Sequence, residues 1–215
     1  MINTNLDVTR CLISPAILLR ENGDKLPLRL GVLASGSGSN FEAIAEAIAQ
    51  QKINAQVSVL IYNNPDAKVK LRAEKFGVPA ILLNHRDYSS REDLDAEIVK
   101  IFQEYQIDYV IMAGWMRIVT AVLLDAFPDK VINIHPSLLP SFPGIKAVEK
   151  ALAAGVKITG CTVHIACLEV DSGPILMQAA VPILADDTAE SLHDRIQVQE
   201  HKILVGAIAL LANDS

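Results

Sequence analysis

The segment Asn133-Ile134-His135-Pro136 carries the side chains best suited to chemistry in this chain. It follows the apolar residues Val131 and Ile132, so the pattern predicts a buried strand that ends in a proline-containing loop. Alternate side chains of a strand share a face, so Asn133 and His135 are expected to point the same way. An amide that donates to a carbonyl oxygen, beside an imidazole that handles protons, suits group transfer at a carbonyl carbon. The same two residues could instead satisfy loop backbone, and the pair alone does not decide between these interpretations.

Short apolar runs alternate with helical patterns along most of the chain. The predicted strands are residues 28–34, 56–62, 80–83, 109–113, 131–135, 158–165 and 175–181, and the predicted helices are residues 41–51, 67–76, 91–105, 120–127, 145–153 and a last one from about Asp187. This alternation predicts an α/β, Rossmann-like fold with a mostly parallel seven-stranded sheet and helices on both faces. The last two strands are joined by a short turn without a helix, which predicts an antiparallel final strand. Asp187 and Glu190 have the spacing of a capping box for the last helix.

The composition is that of an ordinary globular enzyme, with 51% hydrophobic and 20% charged residues among 215. A formal net charge of -6 argues against general nucleic-acid binding and against attraction to anionic membranes. Residues 28–215 are predicted to form one domain, preceded by an N-terminal extension of residues 1–27 whose order the pattern leaves open. We find no signal sequence and no apolar stretch long enough to span a bilayer, so a cytoplasmic location is expected.

The cysteines favour a reducing compartment over a disulfide framework. Cys11, Cys161 and Cys167 are an odd number and form no CxxC pair. Cys161, His164 and Cys167 could be imagined as metal ligands, but on a strand they fall on alternating faces. No metal site is therefore predicted.

A glycine-containing loop, Ser35-Gly36-Ser37-Gly38-Ser39-Asn40, joins the first predicted strand to the first helix. Converging backbone amides and a helix N-terminus together form an anion site, although a turn glycine can also occur without a ligand. The third glycine of a dinucleotide fingerprint is absent, because Phe41 occupies its place. The loop therefore favours a monophosphate over NAD.

A second polar group follows the strand of residues 158–165. His164 lies on one defined face of that strand, and Asp171 precedes a Gly-Pro turn that it could simply cap. If the loop folds back over the sheet, the Asp171 carboxylate can face His135 and favour its imidazolium form.

Five ordered motifs resemble those of the phosphoribosylglycinamide formyltransferase family. They are Ser35–Asn40, Gly114-Trp115-Met116-Arg117-Ile118, Asn133–Pro140, Gly160–His164 and Asp171–Pro174, with Gln199-Glu200-His201 as a further match. The resemblance runs from about Leu28 to the end of the chain. It implies the formyltransferase fold and transfer of a formyl group from 10-formyltetrahydrofolate to the amine of glycinamide ribonucleotide, in purine biosynthesis.

The resemblance also implies roles for individual residues. Asn133 and His135 would hydrogen-bond the formyl oxygen, and Asp171 would orient His135 and pass protons through a water, with His164 in support. Residues matching the nucleotide site are Gly38, Ser39, Asn40 and Glu200, and those matching the folate site are Arg91, Met116, Arg117, Ile118, Val119 and Asn133. Residues 166–171 correspond to the loop around the pterin. The expected partners are small-molecule substrates only, with a monomer or a homodimer as the assembly.

Some features depart from the family pattern, and several rival functions stay open. The N-terminal extension has no assigned role. Lys146 stands where many relatives carry other residues, and it has no assigned role either. Formyltetrahydrofolate hydrolase shares the amide, imidazole and carboxylate but uses water as acceptor. Methionyl-tRNA formyltransferase, a sugar amine formyltransferase and a non-catalytic nucleotide- or folate-binding module are further rivals.

Overall fold

Helices cover both faces of one eight-stranded sheet in the computed structural model, which describes residues 11–17 and 26–214. The strands are β1 (Ile13–Ser14), β2 (Leu28–Ala34), β3 (Ala55–Tyr62), β4 (Ala80–Leu82), β5 (Tyr109–Met112), β6 (Val131–His135), β7 (Ile158–Ile165) and β8 (Ile175–Pro182). The helices are α1 (Ser39–Ala49), α2 (Val69–Lys75), α3 (Arg91–Glu104), α4 (Ala121–Ala126), α5 (Ala147–Ala154) and α6 (Ala189–Asp214), with a 3₁₀ turn at His85–Asp87. Among the described residues, no helix combines the length and the apolar character needed to cross a lipid bilayer.

The strand order is β1-β8-β7-β6-β5-β2-β3-β4. Strands β2 to β6 pair in parallel, and β7 pairs antiparallel with both β6 and β8. The predicted α/β fold and mostly parallel sheet are confirmed, as is the antiparallel pairing of the last two strands. Strand β7 therefore runs against the parallel set and β8 again runs with it, while β1, antiparallel to β8, also runs against the set.

The predicted count of seven strands is one short. Strand β1 is only two residues long and pairs antiparallel with β8, and the amide of Ala180 donates to the carbonyl of Leu12 at 2.9 Å. A strand this short has no alternating pattern to detect in the sequence. Part of the predicted extension thus belongs to the sheet, whereas residues 1–10 and 18–25 lie outside the described residues.

The two faces of β2 pack into separate cores. Leu30 and Val32 face a cluster built with α1 and α6, and Leu33 faces a cluster built with α3 and α4. This separation follows from the two-residue period of a strand. Gly31 lies on the α3 side, where a Cβ would come within 2.7 Å of the Phe102 ring. Burial on both faces holds β2, and with it the loop that follows, in a fixed position.

The start of α6 differs from the prediction. Thr188 and Ser191 form the reciprocal cap, since each backbone amide donates to the other hydroxyl, at 3.0 and 3.1 Å. The Asp187 carboxylate instead accepts two hydrogen bonds from the Arg195 guanidinium, at 2.7 and 2.8 Å. The predicted capping box of Asp187 and Glu190 is therefore wrong, because a charged partner further along the helix binds that carboxylate.

Candidate active site

A cavity of about 480 Å³ opens where β2, β5 and β6 end. Its walls come from the loop after β2, the segment after β5, the end of β6, the loop between β7 and β8, and one side of α6. The carboxyl ends of parallel strands meet at one edge of a sheet, which is the usual place for a ligand in this class of fold. The polar clusters noted in the sequence thus share one site.

Asn133 and His135 both contribute to the cavity wall. They lie on β6, where Asn133 is paired with His164 of β7 and His135 is paired with Thr162. Residues paired across two strands share a face, so His164 stands beside the Asn133 amide. The His135 side chain is only 8% exposed. The strand register therefore brings one amide and two buried imidazoles together at the cavity wall.

Asp171 comes from the loop between β7 and β8 and faces both imidazoles. Its Oδ2 lies 3.2 Å from His135 Nδ1 and accepts from the Gly144 amide at 2.7 Å. Its Oδ1 lies 3.5 Å from His164 Nε2 and 3.4 Å from Asn133 Nδ2. Asp171 itself has a φ of 57°, a left-handed backbone conformation that costs energy for a non-glycine residue. The loop thus folds back over the sheet and brings Asp171 to the Asn133 and His135 side chains of β6, as predicted.

The carboxyl group of Asp171 is held in its ionised form. Burial alone would raise the pKa of Asp171, but hydrogen bonds from His164 and the Gly144 amide, with the charges of His135 and His164, lower it below its ordinary value. At neutral pH the site therefore contains a fixed negative charge against the His135 ring.

Both nitrogens of the His135 ring face hydrogen-bond acceptors. Nε2 lies 2.9 Å from the carbonyl oxygen of Phe142, and Nδ1 faces Asp171. A carbonyl oxygen only accepts, so Nε2 carries a hydrogen, and the ring can donate from both nitrogens only as the imidazolium. These two contacts fix the plane of the ring beside the cavity.

His164 fixes the orientation of the Asn133 amide. Its Nδ1 lies 3.0 Å from the carbonyl oxygen of Ile165 and therefore carries a hydrogen. Its Nε2 lies 3.1 Å from Asn133 Nδ2 and 3.5 Å from Asp171 Oδ1, so one ring contacts both the amide and the carboxylate. Nδ2 thus points toward His164 and Asp171, and its amide plane is held at the cavity wall.

The glycine loop has the backbone expected of an anion site. Gly38 occupies the N-cap position of α1 in the left-handed conformation, with a φ of 78°, and no side chain caps the first turn. The first amides of the helix are thus available to a ligand. Residues of two other segments hold the loop in place. Ser35 Oγ accepts from the Met116 amide at 2.8 Å, and Arg72 Nε donates to the Ser37 carbonyl at 2.8 Å.

Glu200 lines the cavity from α6 and is buried. Burial raises the pKa of Glu200, while the charge of His193 and a hydrogen bond from the Asn40 side chain oppose that shift. Asn40 Oδ1 is itself buried and has no hydrogen-bond partner among the described residues. A substrate hydroxyl could therefore find both a carboxyl group and an amide here.

Two further α6 residues in the cavity wall were missed by the sequence analysis. His193 and Gln197 stand with Glu200 at spacings of four and three residues, which places all three on one side of the helix. The spacing is visible in the sequence, but of the α6 residues only Glu200 was assigned a role in the site.

The segment after β5 contributes Met116, Arg117, Ile118 and Val119 to the cavity. Met116 is 72% exposed and Ile118 is 52% exposed, and Leu168, which lines the cavity from the loop after β7, is 66% exposed. Exposed apolar side chains around one opening are typical of a binding surface with an apolar part. Arg91 is different, because it lies exposed at the first turn of α3 and does not line the cavity.

No metal site is found within the described part of the chain, since no three His, Cys, Asp or Glu side chains are grouped to hold an ion. Cys161 is buried, and burial raises the pKa of its thiol.

A protein-family model described as formyl transferase matches residues 28–208. The chain belongs to this family. All the predicted site residues, from Gly38 to Glu200, fall within the matched range. The formyl transferase match begins at the first residue of β2, so β1 lies before it.

Similarity to characterised family members extends over most of the chain. It is 41% identical over 174 residues to the phosphoribosylglycinamide formyltransferase of Bacillus subtilis (strain 168), covering 81% of this chain and 89% of that protein. It is also 40% identical over 190 residues to the human trifunctional purine biosynthetic protein adenosine-3, covering 88% of this chain. The chain spans only 19% of the length of that trifunctional relative.

Solved structures of family members have the same fold. Glycinamide ribonucleotide transformylase 1 from Symbiobacterium toebii superposes with a TM-score of 0.87 at 45% identity, covering 90% of this chain and 92% of that one. The phosphoribosylglycinamide formyltransferase from Bacillus halodurans gives a TM-score of 0.83 at 41% identity, covering 87% and 97%.

Proposed function

We propose that this protein transfers the formyl group of 10-formyltetrahydrofolate to the primary amine of glycinamide ribonucleotide. The observation that carries the proposal is the convergence of Asn133, His135 and Asp171 in the cavity that the glycine loop also lines. Relatives that the chain largely covers bear the name of this activity. One site would thus hold a phosphorylated amine next to groups suited to acyl transfer.

The reaction requires proximity and charge stabilisation more than a covalent intermediate. The amine nitrogen attacks the formyl carbon, and an electron pair moves onto the formyl oxygen as the new C–N bond forms. Collapse of this intermediate breaks the bond between the formyl carbon and the folate nitrogen. The proton lost by the amine ends on that nitrogen, so the atoms balance without a protein nucleophile.

Asn133 and the His135 ring would stabilise the oxyanion. Asn133 Nδ2 has two hydrogens, and its contact with Asp171 Oδ1 is long at 3.4 Å, so the hydrogen on that side is the one that a formyl oxygen in the cavity would accept. The imidazolium form of His135 adds a positive charge at the same wall of the cavity. Because the site is mostly buried, this charge is poorly screened by water.

Asp171 would keep His135 charged and guide the proton through a water molecule. Its lowered pKa makes it a weak base, so its main contribution is electrostatic and orienting rather than direct proton abstraction. His164 would support it as a positioning residue, because it holds the Asn133 amide and contacts Asp171 Oδ1.

The substrates would occupy different parts of the cavity wall. Gly38, Ser39 and Asn40 would hold the phosphate at the start of α1, with Glu200 at the ribose. The apolar side chains after β5 and in the loop after β7 would hold the folate ring, with Arg117 nearby. Arg91 would act only on a folate tail that extends beyond the cavity, because it lies outside the wall.

The direct test is a formyl-transfer assay with purified protein and 10-formyltetrahydrofolate. We expect formylated product with glycinamide ribonucleotide and little release of formate when water is the only acceptor. Equal formate release with and without the ribonucleotide would instead identify a hydrolase. Binding of both ligands without any turnover would identify a binding module.

Gly38→Val is expected to weaken binding of the phosphorylated substrate by about tenfold or more, since the loop must leave its anion-binding conformation. A Cβ at Gly38 would lie 2.7 Å from Val69 Cβ, in addition to the strain of a φ of 78°. The dissociation constant can be followed by fluorescence of Trp115, the only tryptophan in the chain, which lines the cavity.

Gly31→Ala is the control for a steric clash away from the loop. It places a Cβ against Phe102 on the α3 side of β2, so it should lower thermal stability without changing phosphate affinity. Unchanged affinity in Gly38→Val, or an equal loss of affinity in Gly31→Ala, would contradict the phosphate site.

A further inference from the structure

The loop after β6 is held by side chains from two other strands. Thr162 of β7 is fully buried, and it is paired with His135 on one side and with Gln178 of β8 on the other. Three residues on adjacent strands thus form one lateral row, which begins at the catalytic imidazole. Ser14 of β1 pairs with Gln178 on its far side, so the backbone of Gln178 has a strand on both sides.

The hydroxyl of Thr162 uses its full hydrogen-bonding capacity. It donates to the Ser137 carbonyl at 2.7 Å, and it accepts from the Leu139 amide at 3.1 Å and from Gln178 Nε2 at 3.0 Å. A hydroxyl has one hydrogen and two lone pairs, so no capacity remains.

Gln178 completes the same set of contacts. Its Nε2 also donates to the Leu139 carbonyl at 3.0 Å, so both backbone groups of Leu139 are bound by the Thr162–Gln178 pair. Both hydrogens of the amide are thereby used. The two side chains together fix Ser137 and Leu139 without contacting the cavity wall at their own polar atoms.

Hydrogen bonds within the loop of residues 137–142 connect these fixed backbone groups to His135. The Ser137 hydroxyl donates to the Ser141 carbonyl at 2.6 Å, and the Ser141 amide donates to the Leu138 carbonyl at 3.0 Å. The next residue, Phe142, supplies the carbonyl oxygen that accepts from His135 Nε2. The position of this acceptor decides how the His135 ring is turned toward Asp171 and the cavity.

We propose that Gln178 is a positioning residue for catalysis, which acts through Thr162 and the loop of residues 137–142 on the orientation of His135. The inference rests on the proposed function for its kinetic consequence, but its structural part stands independently. Gln178 touches neither the reacting atoms nor the proposed substrates, so its loss should affect turnover and not affinity.

Gln178→Glu tests the proposal, because it keeps the size of the side chain and removes the donors to the Leu139 carbonyl and to the Thr162 hydroxyl. We expect kcat to fall about tenfold or more, the scale of one to two lost hydrogen bonds, with unchanged KM for both substrates. Thr162→Val should give a similar fall, and Thr162→Ser, which keeps the hydroxyl, should retain wild-type kcat. The double variant Gln178→Glu/Thr162→Val should lose less than the product of the two single effects.

Gln56→Glu is the matched control, since it makes the same chemical change at an exposed position of β3. It should leave kcat and KM unchanged. If Gln178→Glu does not fold, Gln178→Met replaces it, because it also lacks the donor and carries no charge.

Hydrogen exchange of the backbone amides separates this proposal from the proposed function. In Gln178→Glu, amides of residues 137–142 should exchange about tenfold faster, while those of α1 and α3 stay as in the wild type. Unchanged exchange in the loop, faster exchange throughout the protein, or a Thr162→Ser variant as impaired as Thr162→Val would overturn the positioning role. Absence of formyl transfer in the wild type would defeat the proposed function alone, and loop exchange would still decide the role of Gln178.

Discussion

His135→Ala is expected to lower kcat for formyl transfer by at least about 100-fold, the scale for a proton-handling or oxyanion-stabilising group. The change removes the ring that lies 3.2 Å from Asp171 and 2.9 Å from the Phe142 carbonyl. It removes the imidazole that faces Asp171, and of the two groups proposed to stabilise the formyl oxygen only Asn133 remains. Single-turnover and steady-state rates with glycinamide ribonucleotide would measure the loss.

The control is His85→Ala, which removes an imidazole outside the cavity wall. His85 Nδ1 lies 2.9 Å from the Asn63 carbonyl, so its loss affects a local contact. A folded His135→Ala protein that turns over at a near-normal rate would refute the catalytic assignment, and so would an equal loss in His85→Ala.

Asp171→Asn should produce a loss of similar size, at least about 100-fold in kcat, with small changes in KM. Asparagine has nearly the same shape and can still accept from the Gly144 amide. It lacks the negative charge that faces the His135 ring, so the variant isolates the electrostatic contribution of the carboxylate. Asp186→Asn, at an exposed position before α6, is the matched control and should keep full activity.

Asp171→Asn should also change how the thermal stability of the protein depends on pH. The pKa of Asp171 is lowered in the folded protein, so its ionised form adds stability at pH values above its ordinary pKa. This contribution is lost as the pH falls through the lowered pKa of the folded state. Wild-type protein should therefore melt at a higher temperature than Asp171→Asn near neutral pH, and the difference should shrink in acid. A difference that grows in acid would contradict the ion pairing.

The elements of the fold could be predicted because their patterns depend on near neighbours. Strands β2, β6 and β7 have the predicted bounds, since apolar runs and flanking turn residues mark them locally. The other predicted elements differ by one or two residues at one or both ends, because the last residues of an element are marked least clearly by its pattern. The cap of α6 was mistaken because Arg195 binds Asp187, and a pairing of two charges is not visible in a capping pattern.

The candidate site was predictable in its types of residue and less so in its contacts. The Asn-x-His spacing placed two side chains on one face of β6, because a strand has a period of two. The α6 residues His193 and Gln197 were missed since helical spacing alone does not tell which side of a helix meets a cavity. Arg91 was predicted in the folate site from its match to a family arginine, but it lies outside the cavity wall. A match in sequence does not give the distance between a side chain and the site.

The sequence by itself determined the α/β class, the order of strands and helices along the chain, and the positions of the glycine loop, the Asn-x-His pair and the acidic turn. Only the tertiary structure decided that the loop carrying Asp171 folds back to within 3.2 Å of His135, that His164 holds Asn133, and that β1 joins the sheet beside β8. The reason is physical. Local patterns set strands and turns within a few residues, whereas contacts between residues far apart in sequence depend on strand order, register and the path of loops.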